Sequence, residues 1–282
     1  MNVLSLFDGI SCGQLALQRA GIQYDAYYSS EIDPYAIKVT QANFPQTIQL
    51  GSIDTVVGAD LPPIDLLIGG SPCQGFSTAG KMHGFNDPRS KLFFEYVRLL
   101  QECKPKYFLL ENVVMKKQDQ AVITNILGVE PVMINSNLVS AQNRKRLYWT
   151  NIPMNGLPQD RGIMLASILE TNPDPKFNLS QAAINKLQRR SQWAKPLYTP
   201  ASPKTGTLIA GYAKIPGDGS YLDDGNAKRR FTPTECERLQ NVPDGYTACI
   251  PNTYRYHALG NGWTVDVIAH IFNGIKTVSV NP

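Results

Sequence analysis

Short apolar runs alternate with segments of helical spacing through the first half of the chain. Apolar runs bounded by Gly, Pro, Asn and Asp predict strands, and apolar residues three and four positions apart predict helices between them. This alternation indicates βαβ units around a mostly parallel, Rossmann-like sheet in an α/β fold. The predicted strands are residues 3–7, a run ending at 31–32, 48–53, 65–68, 107–110, 132–134 and 147–150, and the predicted helices begin after Gly13, at Pro34 and at Leu92.

The second half has a different texture. From about Asn151 to Gly225, Pro, Asn and Ser become frequent and the apolar periodicity fades, which indicates a small irregular domain or a large insertion. Regular structure returns at Thr232, where Thr-Pro-Thr-Glu is a capping box that opens a helix through Leu239. A last helix is predicted over 265–272. The expected domains are residues 1–157 with 258–282, and residues 158–257.

The composition fits a globular protein with a hydrophobic core: of 282 residues, 43% are hydrophobic and 18% are charged. No apolar run approaches the ~20 residues that span a membrane, and the start of the chain lacks the features of a signal peptide. The five cysteines are odd in number and widely spaced, which favours free thiols in a reducing cytoplasm. Because there is no Cys-x-x-Cys pair and there are three His, we expect no metal site.

Basic residues cluster in the second half of the chain, although the net charge is only +4. The clusters are residues 144–146, 189–190 and 228–230. Any one of them could be a solvated face, but three together favour a polyanionic partner such as a nucleic acid.

A cofactor site is predicted at the edge where the first strands end. Residues 8–13 form a Gly-bearing turn that brings backbone close to a ligand at a helix N-terminus, and Glu31 ends the second strand, where it can accept from a ribose hydroxyl. Asp54 could accept from an adenine amine, and Phe7 could cover a sulfonium by cation–π attraction. The glycines do not follow the dinucleotide pattern Gly-x-Gly-x-x-Gly, which favours an adenosine cofactor without a pyrophosphate. The alternative is an ordinary Gly-rich turn beside a surface Glu.

A thiol and a carboxyl group follow two neighbouring predicted strands. Cys73 lies in Gly-Gly-Ser-Pro-Cys-Gln after the fourth strand, and Glu111 ends the fifth. Both would project from one edge of a parallel sheet, where chemistry is usually placed. The thiolate could attack a ring while the carboxyl group bonds a ring nitrogen and an exocyclic amine. Cys73 could instead be a small core residue, and Glu111 a solvated acid.

The run Gln142-Asn143-Arg144-Lys145-Arg146 is a third candidate for site chemistry. In an extended strand Gln142, Arg144 and Arg146 share one face. The guanidinium groups could bond a base carbonyl, phosphates or the loop that contains Cys73. The alternative is an exposed basic strand end.

Together these segments resemble the DNA cytosine-5 methyltransferase family, over nearly the whole chain except about 156–225. The residues after Glu111, and Trp263, are similar to the catalytic domain of the animal de novo enzymes, whereas Gly-Phe-Ser after Gln74 is more bacterial. The chain therefore resembles a minimal enzyme of bacterial or phage type, of the kind found in restriction-modification. The motifs stand in family order: Phe-Asp-Gly-Ile-Ser-Cys-Gly from Phe7, Glu31, Asp54, Gly-Ser-Pro-Cys-Gln from Gly70, Glu-Asn-Val from Glu111, Gln-x-Arg-x-Arg from Gln142, Arg-x-x-Thr-Pro-x-Glu-x-x-Arg-Leu-Gln from Arg229, and Gly-Asn-Gly-Trp-x-Val from Gly260.

The resemblance implies methyl transfer from S-adenosylmethionine to C5 of cytosine at a specific short sequence of double-stranded DNA, with S-adenosylhomocysteine as product. Cys73 would add to C6 of a base flipped out of the duplex, and Glu111 would hold N3 and the N4 amine. Arg144 would contact the O2 edge, with Gln142 and Arg146 completing the catalytic set. The residues implied for the cofactor pocket are Phe7, Asp8, Gly9, Ile10, Ser11, Cys12, Glu31, Ile32, Ile53, Asp54, Pro72, Asn261, Gly262, Trp263 and Val265.

Three alternatives to a DNA methyltransferase stay open. An RNA cytosine-5 methyltransferase of the tRNA-acting branch would share the architecture, although its Cys-Phe-Thr signature is absent from the sequence. A non-catalytic DNA-binding homologue would lack the nucleophile or cofactor motifs, whereas Cys73, Glu111 and Glu31 are present. An enzyme that transfers a group other than methyl would depart from the family's ordinary pattern at position 261, whereas Asn261 matches that pattern. We expect a monomer in the cytoplasm of a bacterial or phage-infected cell, with no membrane or metal partner, and residues 158–257 as its target-recognition domain with the bridging motif helix.

Overall fold

The computed structural model describes residues 1–71, 91–189, 197–214 and 219–278. The contacts of the chain divide it into two compact units. The first unit contains Met1–Ile134, Lys145–Leu157 and Ile268–Pro282, and the second contains Asn135–Arg144 and Pro158–Val267. The domain boundaries expected from the sequence stay a prediction.

The main sheet has mixed strand directions. In the described residues its strands are β1 Asn2–Leu6, β2 Ala26–Ser30, β3 Ile48–Gln49, β4 Leu66–Gly69, β5 Tyr107–Val113, β6 Val132–Asn135 and β7 Lys145–Thr150, in the order β3-β2-β1-β4-β5-β7-β6. β1 pairs in parallel with β2 and β4, and β4 pairs in parallel with β5, whereas β7 is antiparallel to β5. The predicted α/β class with a mostly parallel sheet is confirmed, and the carboxyl ends of β1, β2, β4 and β5 therefore lie at one edge.

Helices α1 Cys12–Ala20, α2 Pro34–Asn43, α3 Lys91–Cys103 and α4 Lys117–Leu127 belong to the first unit. α2 starts as predicted, because the Asp33 carboxylate accepts from the N–H of Tyr35 at 2.8 Å and Pro34 occupies the first helical position. The sequence pattern predicts α3 but not α4. Ile123 is the one buried residue of α4, so that helix lacks a clear apolar spacing.

The prediction of the third strand is wrong at its carboxyl end. β3 stops at Gln49, and Ile53–Thr55 forms a single 3-10 turn instead of a strand end. The backbone leaves the sheet at Gly51, whose φ of +75° suits glycine. Ile53 is apolar because its side chain packs into the core of the unit.

One hydrophobic core cluster of the first unit joins the sheet to α3. Phe93, Tyr96 and Leu99 on one face of α3 pack with strand residues such as Leu67. At the end of β4, a Cβ on Gly69 would lie 3.1 Å from the Tyr96 ring. Glycine there lets the helix pack closely against the strand that leads toward residue 73.

The second unit has less regular structure. Its elements include the hairpin of β8 Tyr221–Asp223 and β9 Lys228–Arg230, and helices α5 Gln181–Arg189, α6 Pro233–Leu239 and α7 Asn252–Asn261. The predicted capping box of α6 is confirmed, since Thr232 Oγ1 accepts from the N–H of Glu235 and the Glu235 carboxylate accepts from the N–H of Thr232. The sequence pattern does not predict α7, whereas α8, Val265–Val278, begins at the predicted residue.

No helix within the described ranges is long and apolar enough to cross a membrane. Within the same ranges, no group of three or more His, Cys, Asp or Glu side chains is placed to hold a metal ion.

Candidate active site

The chain turns sharply between β1 and α1. Phe7, Gly9 and Ser11 have φ values of +56°, +59° and +56°. This left-handed region costs a non-glycine residue about 1–2 kcal/mol. Strained residues of this kind cluster where a protein binds ligands, so the turn is a candidate binding loop.

Asp8 holds this turn together from the inside. Its carboxylate accepts from the hydroxyls of Ser5 at 2.6 Å, Tyr27 at 2.8 Å and Ser29 at 3.1 Å, and also from that of Ser11. Burial raises the pKa of Asp8 above its ordinary value, although the four hydroxyl donors act in the opposite direction. The Asp8 carboxylate is thus occupied by protein groups.

Glu31 follows β2 and fixes the same turn. Its Oε2 accepts from the N–H of Gly9 at 2.8 Å, and its Oε1 accepts from the N–H groups of Ile32 at 2.7 Å and Asp33 at 2.9 Å. An ionised carboxylate has about four lone-pair sites, so Glu31 keeps capacity for one further donor. The structure brings Glu31 and the turn together. A hydrogen bond from a ribose hydroxyl to the Glu31 carboxylate stays a prediction.

The other predicted cofactor residues of the first unit differ in exposure. Residues 10–12 are buried, and Ile53 lies in the core. Asp54 is exposed, with one oxygen 3.9 Å from Lys91 Nζ. Ile32 is 73% exposed, so it offers an apolar surface beside the preceding carboxylate.

Gly13 lies in the first turn of α1, whereas the sequence pattern places it in the loop. A Cβ on Gly13 would lie 2.5 Å from Ile68 Cδ1 and 2.7 Å from Tyr27 Oη. Glycine therefore lets α1 pack closely on the sheet, and the turn ends at Ser11.

A carboxylate and a guanidinium meet near the end of β5. Glu111 is 8% exposed, and Arg146 on β7 lies opposite Val113. Residues 111 and 113 share a face of β5, so Arg146 reaches Glu111, with its Nε 2.9 Å from Oε1. The structure brings these two predicted catalytic residues together and orients the carboxylate by a charge-assisted hydrogen bond.

The end of β4 lies beside β5, with Gly69 paired to Leu110. Further along, Asn112 Nδ2 lies 3.5 Å from Ser71 Oγ. The predicted site residues Pro72 and Cys73 follow Ser71 in the sequence and lie outside the described residues.

Two of the described cysteines are poor candidates for a nucleophile. Cys236 is fully buried, and burial, followed by the nearby carboxylates of Glu235 and Glu237, raises its pKa well above the ordinary value. Burial also raises the pKa of the Cys103 thiol. A reactive thiolate needs the opposite environment.

Arg144 lies in the second unit and binds backbone. It is 3% exposed, and its Nη1 donates to the carbonyl of Leu208 at 2.9 Å. Its Nη2 donates to the carbonyls of Gly262 at 2.9 Å and Gly260 at 3.2 Å. The guanidinium expected at a base edge therefore has backbone carbonyls as partners.

A buried network around Gln240 is missing from the sequence-based expectations. Gln240 Nε2 donates to the carbonyls of Leu259 at 2.7 Å and Gly262 at 3.1 Å. Its Oε1 accepts from Gln142 Nε2 and from Thr264 Oγ1, both at 2.9 Å. The sequence contains one signal of this network, the glutamine that ends the Arg-Leu-Gln segment. The network itself could not be predicted, because the partners of Gln240 lie up to 98 positions away.

The predicted cofactor residues of the second unit follow this network. Asn261 is exposed, Gly262 and Val265 are buried, and Trp263 is partly buried. The N–H of Val265 donates to the carbonyl of Gln240 at 3.0 Å. Gln240 therefore bonds both ends of the segment from Gly262 to Val265. The contact of this segment with a cofactor stays a prediction.

Two ion pairs secure α6 within the second unit. Arg229 donates to both oxygens of Glu235, each at 2.8 Å, and Arg255 Nη2 donates to Glu237 at 2.9 Å. Arg229, Glu235 and Glu237 are at most 1% exposed. The Arg-x-x-Thr-Pro-x-Glu segment therefore joins the hairpin to α6.

The chain matches the family model for C-5 cytosine-specific DNA methylase over residues 1–277. It is 33% identical over 299 residues to the type II methyltransferase M1.ScrFI of Lactococcus lactis subsp. cremoris, covering 95% of this chain and 76% of that protein. It is 32% identical over 303 residues to the type II methyltransferase M.NlaX of Neisseria lactamica, covering 98% and 96%. The orphan methyltransferase M.SPRI of Bacillus phage SPR is 38% identical over 161 residues, 52% of this chain and 37% of that protein.

Solved structures show the same fold. The Entamoeba histolytica methyltransferase EhMeth has a TM-score of 0.83 at 20% identity, covering 99% of this chain and 98% of that chain. The S. pombe Dnmt2 methyltransferase has a TM-score of 0.79 at 20% identity, covering 99% of each. The predicted methyltransferase-type sheet is confirmed.

Proposed function

This chain belongs to the C-5 cytosine-specific DNA methylase family and is a DNA cytosine-5-methyltransferase, and we propose that it modifies a specific short sequence of double-stranded DNA through a covalent bond from Cys73 to C6 of cytosine. The Glu111–Arg146 pair carries this proposal. It provides an oriented, largely buried carboxylate on the strand beside β4, which leads to Cys73.

The covalent step addresses the low reactivity of cytosine, because C5 alone is a poor nucleophile. Addition of the Cys73 thiolate to C6 moves electron density to C5, which then takes the methyl group. Loss of the C5 proton and expulsion of the thiolate restore the ring and the free enzyme. Glu111 holds N3 and the N4 amine in this scheme, and Arg146 sets the carboxylate orientation before the base arrives.

The geometry favours Arg146 over Arg144 at the base. Arg146 already contacts Glu111, so we assign it the O2 edge of the cytosine that Glu111 holds. Arg144 has its donors on three carbonyls, including that of Leu208, and we assign it a positioning role.

The turn after β1 fits S-adenosylmethionine as the methyl donor. Glu31 has capacity for a ribose hydroxyl, and the exposed Ile32 suits the face of an adenine. When bound, S-adenosylmethionine supplies an electrophilic methyl group on a sulfonium. Phe7 would lie against that positive charge, and the hydroxyl contacts of Asp8 would keep the turn rigid around it.

The target cytosine must leave the duplex, because C6 is not accessible to a thiolate inside the base stack. Recognition of the surrounding sequence then depends on contacts to base edges in the grooves. We assign these contacts to the irregular part of the second unit.

A covalent trap tests the proposal. Methylated plasmid DNA is first sequenced after bisulfite treatment to find the target, and a duplex with 5-fluorocytosine at that position is then incubated with the enzyme and S-adenosylmethionine. We expect a conjugate that survives denaturing electrophoresis and maps to Cys73. The Cys73→Ala variant should give none, and the Cys103→Ala control should still give it.

A conjugate formed by Cys73→Ala, or methyl uptake by tRNA instead of duplex DNA, would contradict the proposal. Cys73→Ala should also abolish incorporation of tritiated methyl groups while it retains DNA binding.

A further inference from the structure

The hairpin of the second unit contains a basic run, Lys228-Arg229-Arg230, whose members have different partners. Lys228 lies opposite Asp223 on the neighbouring strand, and its Nζ is 3.0 Å from Asp223 Oδ2. Both side chains are about a third exposed, at 36% and 33%. The charge of Lys228 is therefore balanced within the hairpin.

Arg229 points to the opposite side of the strand, into the interior of the unit. Its side chain is 1% exposed, and it is held by the two oxygens of Glu235 and by Asp224, whose Oδ2 lies 2.8 Å from its Nε. Two carboxylates thus neutralise this arginine, and no solvent-borne anion reaches it.

Arg230 lacks such a partner among the described residues. It is partly exposed, its Cζ lies 5.9 Å from the centroid of the Tyr256 ring, and its Nε is buried without an acceptor. Other arginines of this unit with described side chains donate to carboxylates or to backbone carbonyls. Arg230 is distinguished by a charge that the described part of the unit does not balance.

The Tyr256 ring gives this charge a fixed position. The Tyr256 hydroxyl donates to the carbonyl of Phe231 at 2.8 Å, and the ring itself is 1% exposed, so it cannot turn away. A guanidinium over an aromatic face is held by cation–π attraction while its planar edge stays able to donate. An arginine always carries its charge and matches phosphate oxygens with paired N–H donors.

We propose that Arg230 contacts a phosphate of the DNA backbone and is the member of the 228–230 run that does so. The proposal rests on the assignment of duplex DNA as substrate. The neighbouring residues of the run carry equal formal charge, but their carboxylate partners cancel it. The contact would anchor the second unit on DNA without reading sequence.

The salt dependence of DNA affinity tests this contact. The dissociation constant of a fluorescent duplex of arbitrary sequence is measured from 50 to 300 mM KCl for wild type, Arg230→Gln, Arg230→Lys and the charge-neutral double variant Lys228→Gln with Asp223→Asn. Losing one phosphate contact reduces the slope of log K against log salt by about 0.9, which is about eightfold in affinity near 0.1 M salt. We expect this change in Arg230→Gln, a wild-type slope in Arg230→Lys, and no change in the double variant.

Several outcomes overturn the proposal. The first is an unchanged slope in Arg230→Gln, and the second is a slope lowered equally in Arg230→Lys. The third is a loss of affinity seen only when the titration is repeated with a duplex that contains the methylation target, which indicates a base contact instead. Thermal melting of each variant shows that it is folded. Wild-type protein that binds no duplex, or does not methylate it, would instead refute the substrate assignment.

Discussion

The two units use their carboxylates differently. In the first unit carboxylates stabilise the loops that follow strands: Asp8 accepts four hydroxyls and Glu31 accepts three N–H groups. In the second unit Glu235 and Glu237 lie in the interior, each paired with an arginine and each accepting from loop N–H groups. A unit with few strands needs side chains to satisfy its buried backbone.

Carboxylates of the same charge therefore have separable consequences in the two units. Loss of a carboxylate in the second unit should cost stability, because it leaves buried partners unsatisfied. Loss of Glu111 in the first unit should cost activity first, since that carboxylate is directed at the proposed substrate.

The largest expected effect follows from Glu235→Gln. The change removes one of the two carboxylates that hold the guanidinium of Arg229, which is 1% exposed, and leaves Asp224 as the other. Breaking a buried pair costs about 3–5 kcal/mol. Urea unfolding measures the loss. The control Glu95→Gln removes a more exposed pair with Arg98 on α3 and should cost at most about 1 kcal/mol. Equal losses in the two variants would erase the contrast between the units.

Glu111→Gln should lower the methylation rate by at least ~100-fold, equivalent to ~2.7 kcal/mol in the barrier, because an amide can bond N3 and the N4 amine but cannot transfer a proton to N3 when the thiolate adds. Incorporation of tritiated methyl groups into plasmid DNA measures the rate. The free energy of unfolding should change less than in Glu235→Gln. A rate close to that of wild type would remove Glu111 from the site.

The smallest expected effect is a pH dependence of the free energy of unfolding, caused by the titration of Asp8. Burial raises the folded-state pKa of Asp8 above the ordinary value of 3.8, so the folded protein binds this proton more tightly than the unfolded chain. The contribution of Asp8 to stability is therefore fully present below that value and is lost as pH rises through the folded-state pKa. In urea titrations, wild type minus Asp8→Asn should give a stability difference that declines as pH rises from 4 to 7. A difference that grows with pH would show that the hydroxyl donors outweigh burial.

Sequence patterns predict the parts of this fold that depend on neighbouring residues. β4 and the first half of β5 are continuous apolar runs, and the capping box at Thr232 needs residues only three positions apart. β3 is the exception, because Ile53 is apolar for packing and the chain has already left the sheet at Gly51.

The buried polar contacts could not be predicted from the sequence. Gln240 and Gln142 meet across 98 positions, and nothing local distinguishes them from surface glutamines. The alternation of Gln142, Arg144 and Arg146 predicts a shared face but not the partners. Arg146 contacts Glu111 because β7 is antiparallel to β5, a pairing that the sequence leaves open.

The first unit is made of segments that are far apart in the sequence, which determines when it can complete its folding during synthesis. Residues 268–278 belong to that unit, where His270 Nε2 lies 3.0 Å from the carbonyl oxygen of Gly156 and Lys276 lies near Gly21. The ribosome makes residues 158–267 before them, which takes on the order of 10 s at typical elongation rates. During that interval α8 has not yet been synthesised, so the apolar surface of the sheet that it covers stays exposed. Chaperones can bind this surface until translation has passed the whole second unit.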